Sequence, residues 1–433
     1  MKDILNLAAL AFARAQQLLP KAGINKQREI TRLIFEICKR DNISVQNLLQ
    51  QEKIANFEQA KKLLLALRYP LSYGKVQANA FYLPKLDLSV LPDAKTQQTE
   101  FYPKNIFIEK EVLNYPLAQR ALKKFPAAKL TVLEKKTFCG SKNYSERKDN
   151  LVIIKENFDF VKPCPCTKNC VCCGYNLLNL GFGCAYECQY CFLQQYQNLH
   201  AIVLPANIED FLNKINSTKL RRGPFPHIRI GSGEFTDSLL FDDLTQYSTD
   251  IVNFFRGRQE YFEFKTKSTN ISNLLKLTPL PNIVVGWSVN PQNIIDKVEP
   301  LTTPLSARLE AAKQIAKHGF KVAFHFDPVI LHQGWQANYY SVIEQIKNAV
   351  PQGSTAWISM GTLRFSRELK KCIENRFKDN FILDGEFLLD FDGKMRYPKQ
   401  LRQQIYQILI PKLKAAFPNA YIYLCMEEAA IQN

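Results

Sequence analysis

Three cysteines carry the strongest chemical signal in the chain. Cys184, Cys188 and Cys191 follow the spacing C-x3-C-x2-C within Gly181-Phe182-Gly183-Cys184-Ala185-Tyr186-Glu187-Cys188-Gln189-Tyr190-Cys191. Three thiolates on one compact loop can hold three irons of a four-iron, four-sulfur cluster and leave the fourth iron open. An open iron is a binding position for a ligand with amino and carboxylate donors. Gly181 and Gly183 make the tight approach of the loop sterically cheap. The alternatives are a zinc site short of its fourth ligand and a fortuitous run of thiols. A second group, Cys164, Cys166, Cys170, Cys172 and Cys173, could wrap a zinc or an auxiliary cluster, or be reduced thiols on a packed loop.

These eight are among twelve cysteines; Cys38, Cys139, Cys372 and Cys425 are scattered. The segment Met1–Pro20 reads as an amphipathic helix rather than an export signal, so a cytoplasmic location and reduced thiols are expected. None of the five histidines has a zinc-finger or HExxH spacing. No run of 18 apolar residues appears, and no membrane association is expected. Hydrophobic residues make up 46% of the 433, enough for a real core, and the length suggests roughly two to four domains.

The triplet must be positioned by the elements around it. Helical spacing recurs through 4–19, 30–37 and 60–67, with Ser44 as a cap before Val45. The stretch Tyr69–Pro103 reads as a linker and Cys139–Lys148 as a polar loop. Asn105–Glu109 and Lys129–Leu133 read as strands around a helix at 117–124. From Tyr175 the pattern alternates. Strands are expected at 176–180, 227–230, 261–264, 283–289, 322–326 and 356–360, and helices at 208–215, 244–256, 271–277, 306–317 and 340–349. The expected fold is α/β, a partial (β/α)6 TIM-like barrel, with the strand Tyr421–Cys425 as a possible addition. The expected divisions are an N-terminal helical region (1–100), an α+β lead-in with the Cys-rich loop (101–172), the barrel (173–362) and an α+β C-terminal extension (363–433). The triplet then ends the first barrel strand, where reactive groups gather in such folds.

With these residues the chain resembles the radical S-adenosylmethionine (SAM) superfamily and, within it, the spore photoproduct lyase family. The resemblance runs from about Asn105 to the end. It is carried by Cys164-Pro165, Cys172-Cys173-Gly174-Tyr175, the triplet with Phe192-Leu193-Gln194, Gly231-Ser232-Gly233-Glu234 through Asp237-Ser238, Thr266-Lys267, Trp287-Ser288-Val289-Asn290, Glu299-Pro300 with Thr303-Pro304, Phe326-Asp327-Pro328 and Leu424-Cys425-Met426-Glu427. It implies that Cys184, Cys188 and Cys191 bind a 4Fe-4S cluster and that S-adenosyl-L-methionine chelates its open iron. Reductive cleavage then yields a 5′-deoxyadenosyl radical, which abstracts hydrogen from a thymine photoproduct in DNA. Tyr190, Glu234, Thr236, Lys267 and Ser288 are the expected cofactor contacts, Asp237 a further one, and His325 and Asp327 a substrate wall or a buried pair. An electron donor such as flavodoxin or ferredoxin is implied.

Two departures stand out. The family's hydrogen-donor cysteine, in the loop after the second strand, falls on Glu234, and the tyrosine after the third cluster cysteine is Phe192. Cys425, Cys172 and Cys173 are the candidate replacement donors. The net charge of +17 fits a polyanionic partner such as DNA. Residues 121–170 hold eleven Lys/Arg against five Asp/Glu, and Lys219, Arg221 and Arg222 form a second cluster. A radical enzyme acting on RNA or a small molecule, and a non-enzymatic Cys-rich module on nucleic acid, are the competing readings.

Overall fold

The computed structural model describes residues 2–50, 52–70, 101–134, 143–157, 160–167, 170–196, 200–377 and 379–432. The chain divides into two compact units. One joins Met1–Lys95 to Thr362–Ile405, and the other joins Thr96–Gly361 to Tyr406–Asn433.

In the first unit, helices Lys2–Leu18, Ile24–Asp41 and Phe57–Arg68 share one apolar cluster that includes Ala11, Ile30, Ile34 and Leu64. Asn56 caps the third, accepting from the Gln59 amide. Ser44 caps no helix: its hydroxyl takes the Gln46 N–H at 3.3 Å in a local turn. Most of the expected linker, residues 71–100, lies outside the described residues.

The second unit holds β1 (Asn105–Glu109), β2 (Lys129–Leu133), β3 (Asn150–Ile154), β4 (Val161–Pro163), β5 (Tyr175–Leu178), β6 (Ile202–Pro205), β7 (Arg229–Ser232), β8 (Tyr261–Thr266), β9 (Ile283–Ser288), β10 (Lys321–Val329) and β11 (Thr355–Thr362). A small parallel sheet runs β2-β1-β3-β6. The large sheet runs from the strand Tyr421–Leu424 through β11, β10, β9, β8, β7 and β5 to β4. Every neighbouring pair for which a register is recorded is parallel except β4 with β5. Ile283–Ser288 is buried at all six positions, as a strand covered on both faces must be.

Contacts across this sheet show that it is curled. Trp357 on β11 donates to Glu263 on β8 at 2.8 Å, three strands away, a span of roughly 14 Å in a flat sheet. Glu263 also accepts from Tyr175 on β5 at 2.5 Å and pairs with His325 on β10 at 2.7 Å. The sheet is therefore the expected partial barrel, widened by β4 and by the last strand.

Several boundaries differ from expectation. The region 363–433 is not one extension, because Thr362–Ile405 packs with the N-terminal helices and the remainder completes the large sheet. The helix expected at 244–256 is two, Asp242–Thr245 and Tyr247–Phe254, separated where Gln246 turns to φ 57°. Of 271–277 only the 3-10 turn Leu274–Lys276 forms, ahead of Pro279 and Pro281. In Cys139–Lys148, residues 139–142 lie outside the described residues, while Tyr144–Asp149 is a 3-10 helix. No helix among the described residues is long and apolar enough to cross a membrane.

Gly286 on β9 sits against the interior network. A Cβ there would lie 2.4 Å from Glu263 Oε1 and 2.6 Å from His325 Nε2. Gly286→Ala is expected to destabilise the protein by about 1–3 kcal/mol. Urea denaturation checks this, and an unchanged midpoint would contradict a filled barrel interior.

Candidate functional site

The cysteine loop begins where β5 ends, and it is tied down on every side. Phe182 exchanges two backbone hydrogen bonds with Val203 (2.9 and 2.8 Å), and Gly183 N–H donates to Phe235 at 2.8 Å. Gly181 has φ 150° and Gly183 φ 90°; a Cβ on Gly181 would stand 2.8 Å from the Val203 carbonyl. Further on, the Glu187 amide donates to Pro300 at 3.1 Å and the Gln189 amide to Val298 at 2.8 Å. The Gln194 side-chain amide closes the turn on the carbonyls of Cys188, Gln189 and Cys191.

Beneath the loop lies Arg147, fully buried. Its guanidinium donates to the carbonyls of Cys184 and Tyr186, both at 2.7 Å, and pairs with Glu187 at 3.0 Å. Its flat face lies 4.0 Å from the Tyr144 ring centroid. One cation thus fixes three successive points of the loop, a use suited to the rigid fork of arginine.

Cys184, Cys188 and Cys191 each lie within electrostatic range of the other two. Burial pushes the Cys184 thiol up to about 12 and the Cys188 thiol well above its usual range. Among the described residues, no three His, Cys, Asp or Glu side chains are arranged to hold a single metal ion. A four-iron cube takes its thiolates at separate corners, and three thiols on one loop are a donor set of that kind.

The neighbouring strand ends supply polar groups. Lys267, after β8, has its ammonium 5.6 Å from the Tyr190 ring centroid. Burial works against its charge, but Cys188 and Glu299 together hold its pKa above the ordinary value. Tyr190 donates its hydroxyl to Glu299. Glu299 also accepts from Asn290 at 2.9 Å and from Arg308 at 2.8 Å. Against the cost of burial, Arg308 and then Lys267 hold its carboxyl at about 2. Arg308 further donates to the Ser288 carbonyl at 2.8 Å. Thr236 has a buried hydroxyl with no hydrogen-bond partner, beside the Phe235 carbonyl that receives Gly183.

Other expected residues are occupied in different ways. Asp237 accepts from the amides of Leu239, Leu240 and Lys267 and from the Thr266 hydroxyl, which makes it a clamp between two strand ends. Glu234 pairs with Lys162 on β4 at 3.8 Å. His325 belongs to a closed network with Glu263 and Ser359, so its buried partner is Glu263 and not the expected Asp327, which is half-buried at the end of β10. Cys425 follows the last strand, within electrostatic range of Cys164 and Tyr423, its amide bonded to Met360. Cys172 and Cys173 precede β5, at the opposite end of that strand from the triplet. The Cys164 thiol is pushed up and the Cys166 thiol pulled down by the hydrogen bond between them.

The family model for spore photoproduct lyase matches residues 101–425. The chain belongs to the spore photoproduct lyase family. The spore photoproduct lyase of Bacillus subtilis (strain 168) is 26% identical over 349 residues, covering 75% of this chain and 98% of that protein. That of Geobacillus sp. (strain Y412MC61) is 24% identical over 346 residues, covering 74% and 98%. Among solved structures, a spore photoproduct lyase complexed with dinucleoside spore photoproduct superposes with a TM-score of 0.63 at 22% identity, covering 75% of this chain and 99% of the other. A variant with bound AdoMet and dinucleoside spore photoproduct gives the same score, identity and coverage. These likenesses establish the radical SAM partial-barrel fold, and the helices before residue 101 lie outside the family match.

Arg147, Glu299 and Arg308 escaped the sequence reading as site residues. Glu299 was visible only as half of the Glu299-Pro300 motif, and Arg147 only as one more charge in a basic stretch. In this spore photoproduct lyase relative, Arg147→Ala is expected to cost about 3–5 kcal/mol, because it leaves the Glu187 carboxylate buried without its cation. Thermal unfolding measures the loss, and the iron bound after anaerobic reconstitution should fall with it. Glu299 is lowered from an ordinary value near 4.5 to about 2, so its stabilisation is present above pH 4.5 and is lost as the pH falls toward 2. Glu299→Gln should flatten that acid limb by on the order of 3 kcal/mol in denaturation profiles recorded across the window.

Proposed function

We propose that this chain is a radical SAM lyase acting on thymine photoproducts in DNA, with Cys184, Cys188 and Cys191 as thiolate ligands of a 4Fe-4S cluster. The observation that supports this most is the meeting of three neighbouring thiols with Lys267 and the Tyr190–Glu299 pair beyond the carboxyl end of β5. When bound, the cluster and S-adenosyl-L-methionine supply reductive cleavage to a 5′-deoxyadenosyl radical, with the electron coming from a flavodoxin- or ferredoxin-like donor.

The protein's part is binding and orientation. Lys267 offers a charged donor to the carboxylate of S-adenosyl-L-methionine, and Glu234 an acceptor to its ammonium. Thr236 brings a hydroxyl that has no other partner, and Ser288 closes the far side on the strand end that Arg308 grips. Tyr190 packs beside the cluster, its ring held by the hydroxyl bond to Glu299. Phe182, Phe192 and Phe235 form an apolar wall against water, with Phe182 stacked on Phe235 at 5.3 Å. Extrusion of the damaged step would give the base access to the barrel. The exposed Lys219, Arg221 and Arg222 lie with Cys172 at the other end of β5 and could hold only phosphates distant from that base. Cys425 is the candidate thiol for returning hydrogen to the product.

A second reading keeps the radical chemistry and changes the substrate to RNA or a small molecule. It is favoured by the Glu234–Lys162 ion pair, which stands where the family resemblance expects a hydrogen-donor thiol. A carboxylate cannot replace that thiol.

Anaerobically reconstituted protein with dithionite and S-adenosyl-L-methionine is expected to release 5′-deoxyadenosine, and the triple Cys184/Cys188/Cys191→Ala variant none. Chromatography of the products checks both. Consumption of a dinucleoside spore photoproduct, with thymidine product, supports the DNA substrate; 5′-deoxyadenosine release without consumption favours the second reading. Cys425→Ala should lower the yield of clean thymine product, and unchanged yield removes Cys425 as donor.

A further inference from the structure

All five cysteines of the second group lie on the loop that joins β4 to β5. That loop is anchored on both flanks. The Cys164 amide donates to the Tyr175 carbonyl at 2.9 Å, which continues the β4–β5 pairing, and the Val171 amide donates to the Glu427 carbonyl at 2.9 Å. Inside it the chain bends tightly, because the Cys166 N–H donates to the Cys164 carbonyl at 2.8 Å. A hydrogen bond between residues i and i+2 defines a γ-turn, whose common form has a central φ close to that of a proline ring. Pro165 is that central residue. Such a turn brings the flanking Cα atoms to roughly 5.5–6 Å. That lies inside the span of about 4.4–6.8 Å that a disulfide bridges.

The side chains follow the backbone. The Cys164 and Cys166 thiols are hydrogen-bonded to each other, and Cys166 is bonded to Cys172 as well. Cys172 Sγ accepts in turn from the Gly174 amide at 3.4 Å and from Arg221 Nη1 at 3.3 Å. Both Cys164 and Cys166 keep part of their surface in solvent. Their characters differ. The bond from Cys164 and the Arg221 guanidinium, against the cost of burial, hold the Cys166 thiol below its usual range, while the same bond and burial push Cys164 up. Thiolate is the attacking form, which makes Cys166 the nucleophile and Cys164 the resolving thiol. Among the described residues no three such side chains are arranged around one metal ion, whereas a disulfide needs only two.

We propose that Cys164 and Cys166 form a dithiol–disulfide exchange site for small disulfides of the glutathione type. The Cys166 thiolate attacks one sulfur of the small disulfide, which forms a mixed disulfide and expels the first thiolate. Cys164 then loses its proton and attacks Cys166 Sγ, which closes the Cys164–Cys166 bond and expels the second thiolate. The pair gives up two electrons and two protons, and one small disulfide becomes two thiols. A Cys-x-Cys disulfide closes a small ring, and strain of that kind makes a bond easy to reduce, so the exchange runs in both directions. The site precedes β5, at the opposite end of that strand from Cys184, Cys188 and Cys191, and does not draw on their chemistry.

Peptide mass spectrometry tests the site, because the tryptic peptide 156–168 contains Cys164 and Cys166 and no other cysteine. The anaerobically reconstituted full chain is treated with excess glutathione disulfide, quenched in acid, alkylated with iodoacetamide under denaturing conditions and digested. The wild-type peptide is expected two hydrogens lighter than its reduced form and unalkylated, and dithiothreitol should restore two alkylated thiols. Cys164→Ser should stop at a glutathione adduct on Cys166, and Cys166→Ser should slow all modification of this peptide at least tenfold. The groups facing Cys166 are Cys164, Cys172 and Cys173 on its own loop and Arg221 beyond the helix Ile208–Ser217. Arg221→Met should therefore slow the oxidation about threefold at pH 7 and move its pH–rate midpoint upward, a shift that a merely structural arginine does not produce. Full alkylation of the wild-type peptide in excess glutathione disulfide, a bond from Cys166 to Cys172 instead of Cys164, or an unmoved pH profile in Arg221→Met would each overturn the proposal. The first two outcomes are read on the wild type, and none depends on turnover of S-adenosyl-L-methionine.

Discussion

Three sulfurs that must share one small object need a loop whose backbone cannot drift, and a loop has no ladder of its own to hold it. Here the restraint comes from buried charge. Arg147 grips the Cys184 and Tyr186 carbonyls and the Glu187 carboxylate from below, while Glu299, itself fixed by Arg308 and Asn290, holds Tyr190 from the side. Each ion pair is almost wholly removed from water. Such pairs contribute little net stability, because desolvation offsets the attraction. What they confer is a single geometry, since a guanidinium satisfied on several edges admits few alternatives.

The barrel interior follows the same logic one layer down. Glu263 gathers Tyr175, His325 and Trp357 from three other strands, and Gly286 leaves the room in which they meet. Against the cost of burial, its carboxyl is held below the ordinary carboxylate range by the groups that hydrogen-bond it. A polar core that is fully satisfied specifies one arrangement, whereas a partly satisfied one would weaken the fold. The register of the strands, and so the height at which Lys267 and Ser288 leave the sheet, depends on this contact set.

Much of this was legible from residue order. Period-two and period-3.6 patterns located all six barrel strands and three of the five helices between them, because these elements bury continuous apolar faces. The cysteine spacing and its place after the first strand were equally plain, since both are local properties. Partnerships across the sheet were not. Nothing in the neighbourhood of Arg147 announces a carbonyl 37 residues away, and Asp237 reads as a ligand contact until its four donors are seen. Ser44 looks like a helix cap, yet no helix follows, because Leu49 turns to φ 55° within one turn. The split of 363–433 was hidden for a related reason. The strand Tyr421–Leu424 pairs with β11 across an intervening segment that packs in the other unit, and local pattern carries no record of such a detour.

That detour has a bearing on biogenesis. Strand β11 emerges from the ribosome with one edge bare, and the strand that will cover it is made only after the whole Thr362–Ile405 excursion. An uncovered parallel edge is a template for wrong pairing during that interval. The bare edge, rather than the cysteine loop, is therefore where a nascent or truncated chain would be most prone to aggregate and most in need of a chaperone.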